Sequence, residues 1–64
     1  MNDVERILLE CRYLLSLNKS YYELAYIFNI SVDMVRDDLN NKLPKFDKIL
    51  YKRVRNVLNT NNNP

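Results

Sequence analysis

Apolar residues recur in a helical rhythm near the start of the chain. Over positions 4–15 they return at steps of three and four residues, the spacing of one face of an amphipathic helix. The members of this predicted buried stripe are Val4, Ile7, Leu8, Cys11, Leu14 and Leu15. Asn2 or Asp3 is a suitable N-cap, and the stretch "LNKS" breaks the pattern. We therefore predict a first helix that ends at about Leu17.

A second line of apolar residues runs beside this stripe at a spacing of four. It consists of Leu9, Tyr13 and Leu17. We treat this line as a candidate homodimer contact. The alternative stays open, because single exposed apolar side chains are ordinary on soluble proteins.

The second helix has clear start and stop signals. Ser20 and Glu23 have the spacing of a capping box, in which each side chain binds the backbone amide of the other residue. Asn29 tolerates the left-handed conformation that ends many helices. We predict a helix at about 21–28, whose buried side consists of Leu24, Ala25, Ile27 and Phe28.

A third helix is predicted at about 32–42. Ile30 is an apolar plug before it, and Ser31 is its N-cap. Its buried line is Val35, Leu39 and Leu43. Pro44 then allows no more than another turn.

The last helix combines a core stripe with a basic edge. Asp47 is a candidate N-cap, and the stripe consists of Leu50, Val54, Val57 and Leu58. Lys48, Lys52 and Arg55 fall at i, i+4 and i+7, so these three cations share one edge. The chain after Asn59 has nothing to bury. We predict a small all-α four-helix domain over 1–59 and a disordered tail over 60–64.

Composition narrows the range of functions. The chain has 64 residues, no glycine, no histidine and one cysteine, Cys11. Tight hairpin turns are thus disfavoured, and neither a Cys/His zinc set nor a nucleophile with its base is present. We expect no metal, no other cofactor and no enzymatic activity. No apolar run approaches the length of a membrane span and no basic leader is present, so we expect no membrane contact and a cytoplasmic location.

Charge is distributed unevenly along the chain. Residues 1–38 hold seven acids and four bases, whereas residues 39–64 hold one acid and six bases. A basic C-terminal part favours an acidic partner, most often nucleic acid. A simple solvated helix surface is the alternative.

The middle of the chain has the spacing of a helix-turn-helix. Such a motif needs a small residue where the helices meet, a turn residue, and apolar residues that hold the second helix on the first. Ala25, Asn29, Ile30 and Val35 meet these needs in the pattern A-x3-N-I-x4-V. A plain helical bundle remains the alternative on this pattern alone.

The stretch "ELAYIFNISVDMVRDDLNNKLP" resembles the stage III sporulation protein D family of bacterial transcription regulators. The family has a similar V-x-x-D-L-x-x-x-L-P run, which here is Val35, Asp38, Leu39, Leu43 and Pro44. The D-L step also resembles the deoxyribonucleoside-repressor-like family, but that family continues into a β-wing and this chain into a basic helix. The resemblance implies sequence-specific binding to double-stranded DNA.

If DNA is the partner, the third helix enters the major groove as the recognition helix. The candidate base-reading residues are Val32, Asp33, Arg36, Asp37 and Asn40. Arg36 suits guanine, Asn40 suits adenine, and an aspartate can accept from cytosine. The candidate phosphate contacts are Lys19, Ser20, Tyr22, Lys45, Lys48, Lys52 and Arg55. Simple solvent exposure is the alternative for each of these residues.

The acids of the third helix leave a second function open. Asp38 is placed to pair with Lys42, whereas Asp33 and Asp37 are like charges one turn apart and should repel. A net negative recognition helix is unfavourable beside a polyanion. The second hypothesis is therefore a protein-protein interaction module that keeps the helix-turn-helix scaffold and has little DNA affinity.

Overall fold

The first helix, α1, spans Asp3–Leu17 in a computed structural model that describes residues 2–61. Its N-cap is Asn2, whose side-chain oxygen accepts from the backbone N–H of Glu5 at 2.8 Å. Two members of the predicted stripe are wrong, because Val4 and Leu8 are 46% and 42% exposed. The stripe is wider than the face of α1 that its neighbours cover.

The second helix, α2, spans Tyr21–Phe28 and confirms the predicted capping box. Asn29 ends it in the left-handed conformation, with φ of 55°. The N–H of Ile30 reaches the carbonyl of Ala25 at 3.0 Å, and the N–H of Asn29 reaches that of Tyr26 at 3.3 Å, the two bonds of a Schellman motif. Ile27 was predicted to be buried and is exposed, since it lies beyond the side of α2 that faces the core.

A continuous helical stretch follows the turn at residues 29–31. It consists of α3 at Val32–Asp37, a π-helical segment at Asp38–Lys42, and α4 at Leu43–Phe46. The predicted cap is confirmed, because the Ser31 hydroxyl accepts from the N–H of Met34. The stretch extends past the predicted end near 42, since Pro44 lies in the first turn of α4, where its missing N–H is tolerated.

The last helix, α5, spans Lys48–Asn61. The predicted cap is confirmed, because Asp47 Oδ1 accepts from the N–H of Leu50 at 2.9 Å. Residues 60 and 61 are helical, although they were predicted to belong to the disordered tail. The rest of that predicted tail, 62–64, lies outside the described residues.

All the helices contribute to one apolar core, and residues 2–61 contain no strand, so the predicted all-α fold is confirmed. The buried apolar residues are Ile7, Cys11, Leu14, Leu24, Ala25, Val35, Leu39, Leu43 and Val54. Burial raises the pKa of the Cys11 thiol to about 12, so this cysteine is a packing residue. None of the described helices is both long and apolar enough to span a membrane.

Tyr13 does not belong to a free surface line. Its ring packs on Phe28, with centroids 5.5 Å apart, and it lies against the core. The predicted line of Leu9, Tyr13 and Leu17 is therefore interrupted by a side chain that is already in use, although Leu17 is exposed.

A buried ionic cluster ties α1 to the π segment. The guanidinium of Arg6 donates from Nε to Asp38 Oδ2 and from Nη2 to Asp38 Oδ1, at 2.9 Å each. The predicted pair of Asp38 with Lys42 is present at 3.5 Å, but it is secondary to the contact with Arg6. Glu10 is also fully buried, with Oε2 at 3.5 Å from Arg6 Nε.

The pKa values of the two buried carboxyl groups are shifted in opposite directions. Burial and the neighbouring Asp38 carboxylate raise the pKa of Glu10 to about 9, so Glu10 is protonated at neutral pH. Burial alone also raises the pKa of Asp38, but the hydrogen bonds and charge of Arg6, the neighbouring Glu10 and the charge of Lys42 outweigh it, and the pKa of Asp38 lies below its usual value. Asp38 is thus the ionised partner of Arg6.

Candidate nucleic-acid interface

A groove of about 720 Å³ opens where the start of α2, the α3 stretch and the second half of α5 meet. Six of the residues predicted to contact DNA line it together: Lys19, Ser20, Tyr22, Arg36, Asn40 and Arg55. Three of these side chains are cations, and no carboxylate from residues 2–61 lines the groove. The fold therefore brings residues from three separate parts of the sequence to one surface that carries three cations, two of which, Lys19 and Arg36, also pair with Glu23 and Asp33.

Sequence reasoning missed three residues of this groove: Asn18, Tyr21 and Leu58. Asn18 ends α1 in the left-handed conformation, with φ of 54°, and so directs the chain into the start of α2. An asparagine directly after the last apolar residue of a helix was the available signal. Leu58 was assigned to the core, and it is half-buried, so it serves both the core and the groove wall.

The start of α2 is held in place by its own capping network. Ser20 Oγ accepts from the N–H of Glu23 at 3.1 Å, and Glu23 Oε1 accepts from the N–H of Ser20 at 2.9 Å. The Ser20 backbone N–H and the nearby Ser20 hydroxyl lower the pKa of the Glu23 carboxyl group, which also pairs with Lys19 at 3.6 Å. The groove edge formed by Lys19 and Ser20 is therefore ordered before any ligand arrives.

Arg36 is the cation that α3 contributes to the groove. Its Nη1 lies 3.5 Å from Asp33 Oδ1, and the Asp33 side chain is 93% exposed. Exposed ion pairs of this kind contribute little free energy, about 0–1 kcal/mol. Arg36 can therefore leave Asp33 at small cost when a stronger acceptor is offered.

Asn40 and Arg55 are joined by a hydrogen bond, and both belong to the lining of the groove. Arg55 Nη1 donates to Asn40 Oδ1 at 2.7 Å, and both side chains are partly buried. Arg55 is thus already hydrogen-bonded to the π segment, and its predicted contact with phosphate stays a prediction.

A family model matches nearly the whole of this chain. The Stage III sporulation protein D model covers residues 3–64. The chain belongs to this family. Stage III sporulation protein D is a family of regulatory DNA-binding proteins of sporulation, and nothing in it points to catalysis. No curated protein and no solved structure matches the chain.

In this member of the Stage III sporulation protein D family, the acids of α3 are locally balanced. Asp37 Oδ1 accepts from Asn41 Nδ2 at 2.8 Å, and its Oδ2 lies 3.8 Å from Lys42. Asp33 faces Arg36. The repulsion expected between the two aspartates is therefore offset by a partner for each.

The remaining predicted contacts of this Stage III sporulation protein D relative lie outside the groove. Val32 is half-buried and packs against the core, so it presents less surface than predicted. Lys45, Lys48 and Lys52 are exposed, and none of them has a carboxylate partner among residues 2–61. In that same range no group of His, Cys, Asp and Glu is placed to hold a metal ion.

Proposed function

We propose that this chain is a sequence-specific double-stranded DNA-binding transcription regulator that inserts the α3 stretch into the major groove. The observation that carries the proposal is the groove in which Lys19, Arg36 and Arg55 converge, with no carboxylate of the described part of the chain in its lining. A surface of this charge attracts a polyanion. The turn between α2 and α3, with Asn29 in the left-handed conformation, supports a helix-turn-helix arrangement.

The α3 stretch supplies the base contacts in this proposal. Arg36 forks onto the O6 and N7 atoms of guanine, because a guanidinium matches two acceptors at once. Asp33 and Asp37 accept from the N4 donor of cytosine. Val32 contacts a thymine methyl with the part of its side chain that the core leaves uncovered. Asn40 contacts the neighbouring base edge.

The DNA backbone is held by the start of α2 and by the basic residues after α3. Ser20, Tyr22 and Lys19 face one phosphate strand, where the first amides of α2 favour an anion. Lys45, Lys48 and Lys52 add charge at the other side, and the lack of described partners leaves them available to phosphate. Each neutralised phosphate releases counterions, so affinity should fall as salt rises.

A protein-protein interaction module is the weaker proposal. It was motivated by the net negative recognition helix, and the partners of Asp33 and Asp37 reduce that charge locally. Homodimer formation through the line of Leu9, Tyr13 and Leu17 stays a prediction, which sedimentation of the free chain would test.

Selection of bound duplexes from a random pool tests the proposed function. We expect one enriched sequence, and Arg36→Ala should lose that preference while keeping residual binding at low salt. Arg12→Ala is the matched control, because Arg12 is exposed on α1 outside the groove. If no duplex is retained at low salt and micromolar protein, the proposal fails and the interaction module becomes the better reading.

A further inference from the structure

The contact between Arg55 and Asn40 fixes which way the Asn40 amide faces. Arg55 Nη1 lies 2.7 Å from the Asn40 side chain, and the two residues are brought together from α5 and the π segment. A guanidinium carries only donors, so the atom that meets it must be the amide oxygen. The donor end, Nδ2, therefore points away from Arg55.

The Asn40 side chain, whose Nδ2 donor is not used by Arg55, lines the same groove as Arg36. Asn40 lies four residues after Arg36, so the two side chains are neighbours on one helical face, and both line the groove. Because Oδ1 is held by Arg55, Asn40 offers a hydrogen-bond donor to whatever occupies the groove. This restricts the base edge it can meet.

In the major groove, only cytosine presents no acceptor. Guanine offers O6 and N7, adenine offers N7 and thymine offers O4, whereas cytosine offers only its N4 donor. A pre-oriented Nδ2 donor can thus form a hydrogen bond with guanine, adenine or thymine, but not with cytosine. Rotation of the amide to suit cytosine would break the bond from Arg55 and leave two donors face to face.

We propose that Arg55 is a positioning residue for base recognition, which holds Asn40 as a donor so that this member of the family rejects cytosine at one position of its DNA site. The inference rests on the proposed function and extends it, because it assigns Arg55 to specificity instead of to phosphate. It also changes the part of Asn40, which had been expected to select adenine.

The helix itself offers a matched control. Arg53 lies on α5 two residues before Arg55, is exposed, and forms no hydrogen bond or ion pair with its side chain within the described range. Removal of either arginine lowers the net charge equally. Only Arg55→Ala releases the Asn40 amide.

The experiment measures binding of the full chain to its selected duplex and to variants that carry each base pair at each position. The wild-type chain should bind about five- to tenfold more weakly when cytosine occupies one position, the equivalent of one lost hydrogen bond. Asn40→Ala and Arg55→Ala should each abolish that discrimination, and the double variant should lose no more than Asn40→Ala alone. Arg53→Ala should weaken all duplexes alike and keep the discrimination.

Two outcomes would overturn the inference, and they are distinguishable. If Arg55→Ala weakens every duplex by the same factor and keeps the rejection of cytosine, Arg55 is a phosphate contact and the proposed function stands. If the wild-type chain binds no duplex, the proposed function fails and the inference with it. NMR of the free protein adds an independent check, since the Asn40 side-chain amide signals should move in Arg55→Ala and stay in place in Arg53→Ala.

Discussion

Arg6 donates two hydrogen bonds of 2.9 Å each to the carboxylate of the fully buried Asp38. The pair joins α1 to the first residue of the π segment, and the two residues are far apart in the sequence. A planar guanidinium suits this geometry and a lysine does not. The contact therefore fixes where the helical stretch at residues 32–46 lies relative to α1.

Loss of Arg6 should be among the most damaging single changes. Arg6→Ala leaves the Asp38 carboxylate buried without its main partner, and breaking a buried pair in this way costs about 3–5 kcal/mol. A chain of this length has little more stability than that to lose. Urea denaturation followed by circular dichroism measures the change. Arg12→Ala, an exposed arginine on the same helix, is the control, and equal losses in the two variants would contradict the account.

Glu10 should make the protein less stable as pH rises. Its folded pKa of about 9 lies above the ordinary value of 4.5, so the folded state binds a proton that the unfolded state releases. The contribution of protonated Glu10 to the free energy of unfolding is fully present below about pH 4.5. It is lost progressively as pH rises toward 9. Glu10→Gln keeps a donor without a titrating proton. We expect this variant to be more stable than the wild-type chain at pH 8 and to have a flatter profile of stability against pH.

Urea midpoints between pH 5 and pH 8 measure the effect of Glu10. Glu5→Gln is the control, because Glu5 is an exposed carboxylate of the same helix. The slope of stability against pH should persist in Glu5→Gln. A Glu10→Gln variant with the wild-type slope would show that Glu10 is not the group that titrates.

The left-handed Asn29 should tolerate glycine and reject valine. With φ of 55°, any side chain carries a steric cost that glycine lacks and that a β-branched residue increases. Asn29→Gly should keep or raise the melting temperature, whereas Asn29→Val should lower stability by about 1–3 kcal/mol. Calorimetry compares them, and an equal effect of the two substitutions would count against the assigned turn geometry.

Local signals were readable from the sequence, and distant contacts were not. The caps at Ser20 and Asp47 depend on residues three positions apart, so spacing alone predicts them. The contacts of Arg6 with Asp38 and of Arg55 with Asn40 depend on the packing of helices that the pattern does not orient. They remained hidden for that reason.

Burial of charge was the other feature that the pattern hid. Glu10 lies three residues after Ile7 and four before Leu14, in the middle of the buried line. A glutamate is almost never fully buried unless it is paired, so it reads as a surface residue. Its burial follows from the place of Arg6 and Asp38, which only the fold reveals. Six residues of the groove were predicted to contact DNA, but the sequence did not show that they form one surface. It grouped Lys48 and Lys52 with Arg55, whereas of these three only Arg55 lines the groove.

The basic residues of α5 should set the salt dependence of DNA binding. Lys52→Ala should weaken all duplexes alike and lower the slope of log affinity against log salt by about 1, because one phosphate contact is lost. Lys42→Ala is the matched control, since the Lys42 ammonium lies within 3.8 Å of carboxylates from Asp3, Asp37 and Asp38. Titrations over a range of salt concentrations measure both slopes. Equal losses in the two variants would contradict the assigned DNA face.

We expect DNA to occupy the groove between the start of α2, the helical stretch at residues 32–46 and α5. Titration of the ¹⁵N-labelled chain with its selected duplex maps the occupied surface directly. We expect the largest changes in amide chemical shift around Ser20, Arg36, Asn40 and Arg55, and no change in the amide shifts of the acidic first turn of α1. Shifts confined to that first turn, or to the exposed face of α2 around Tyr26, would contradict it.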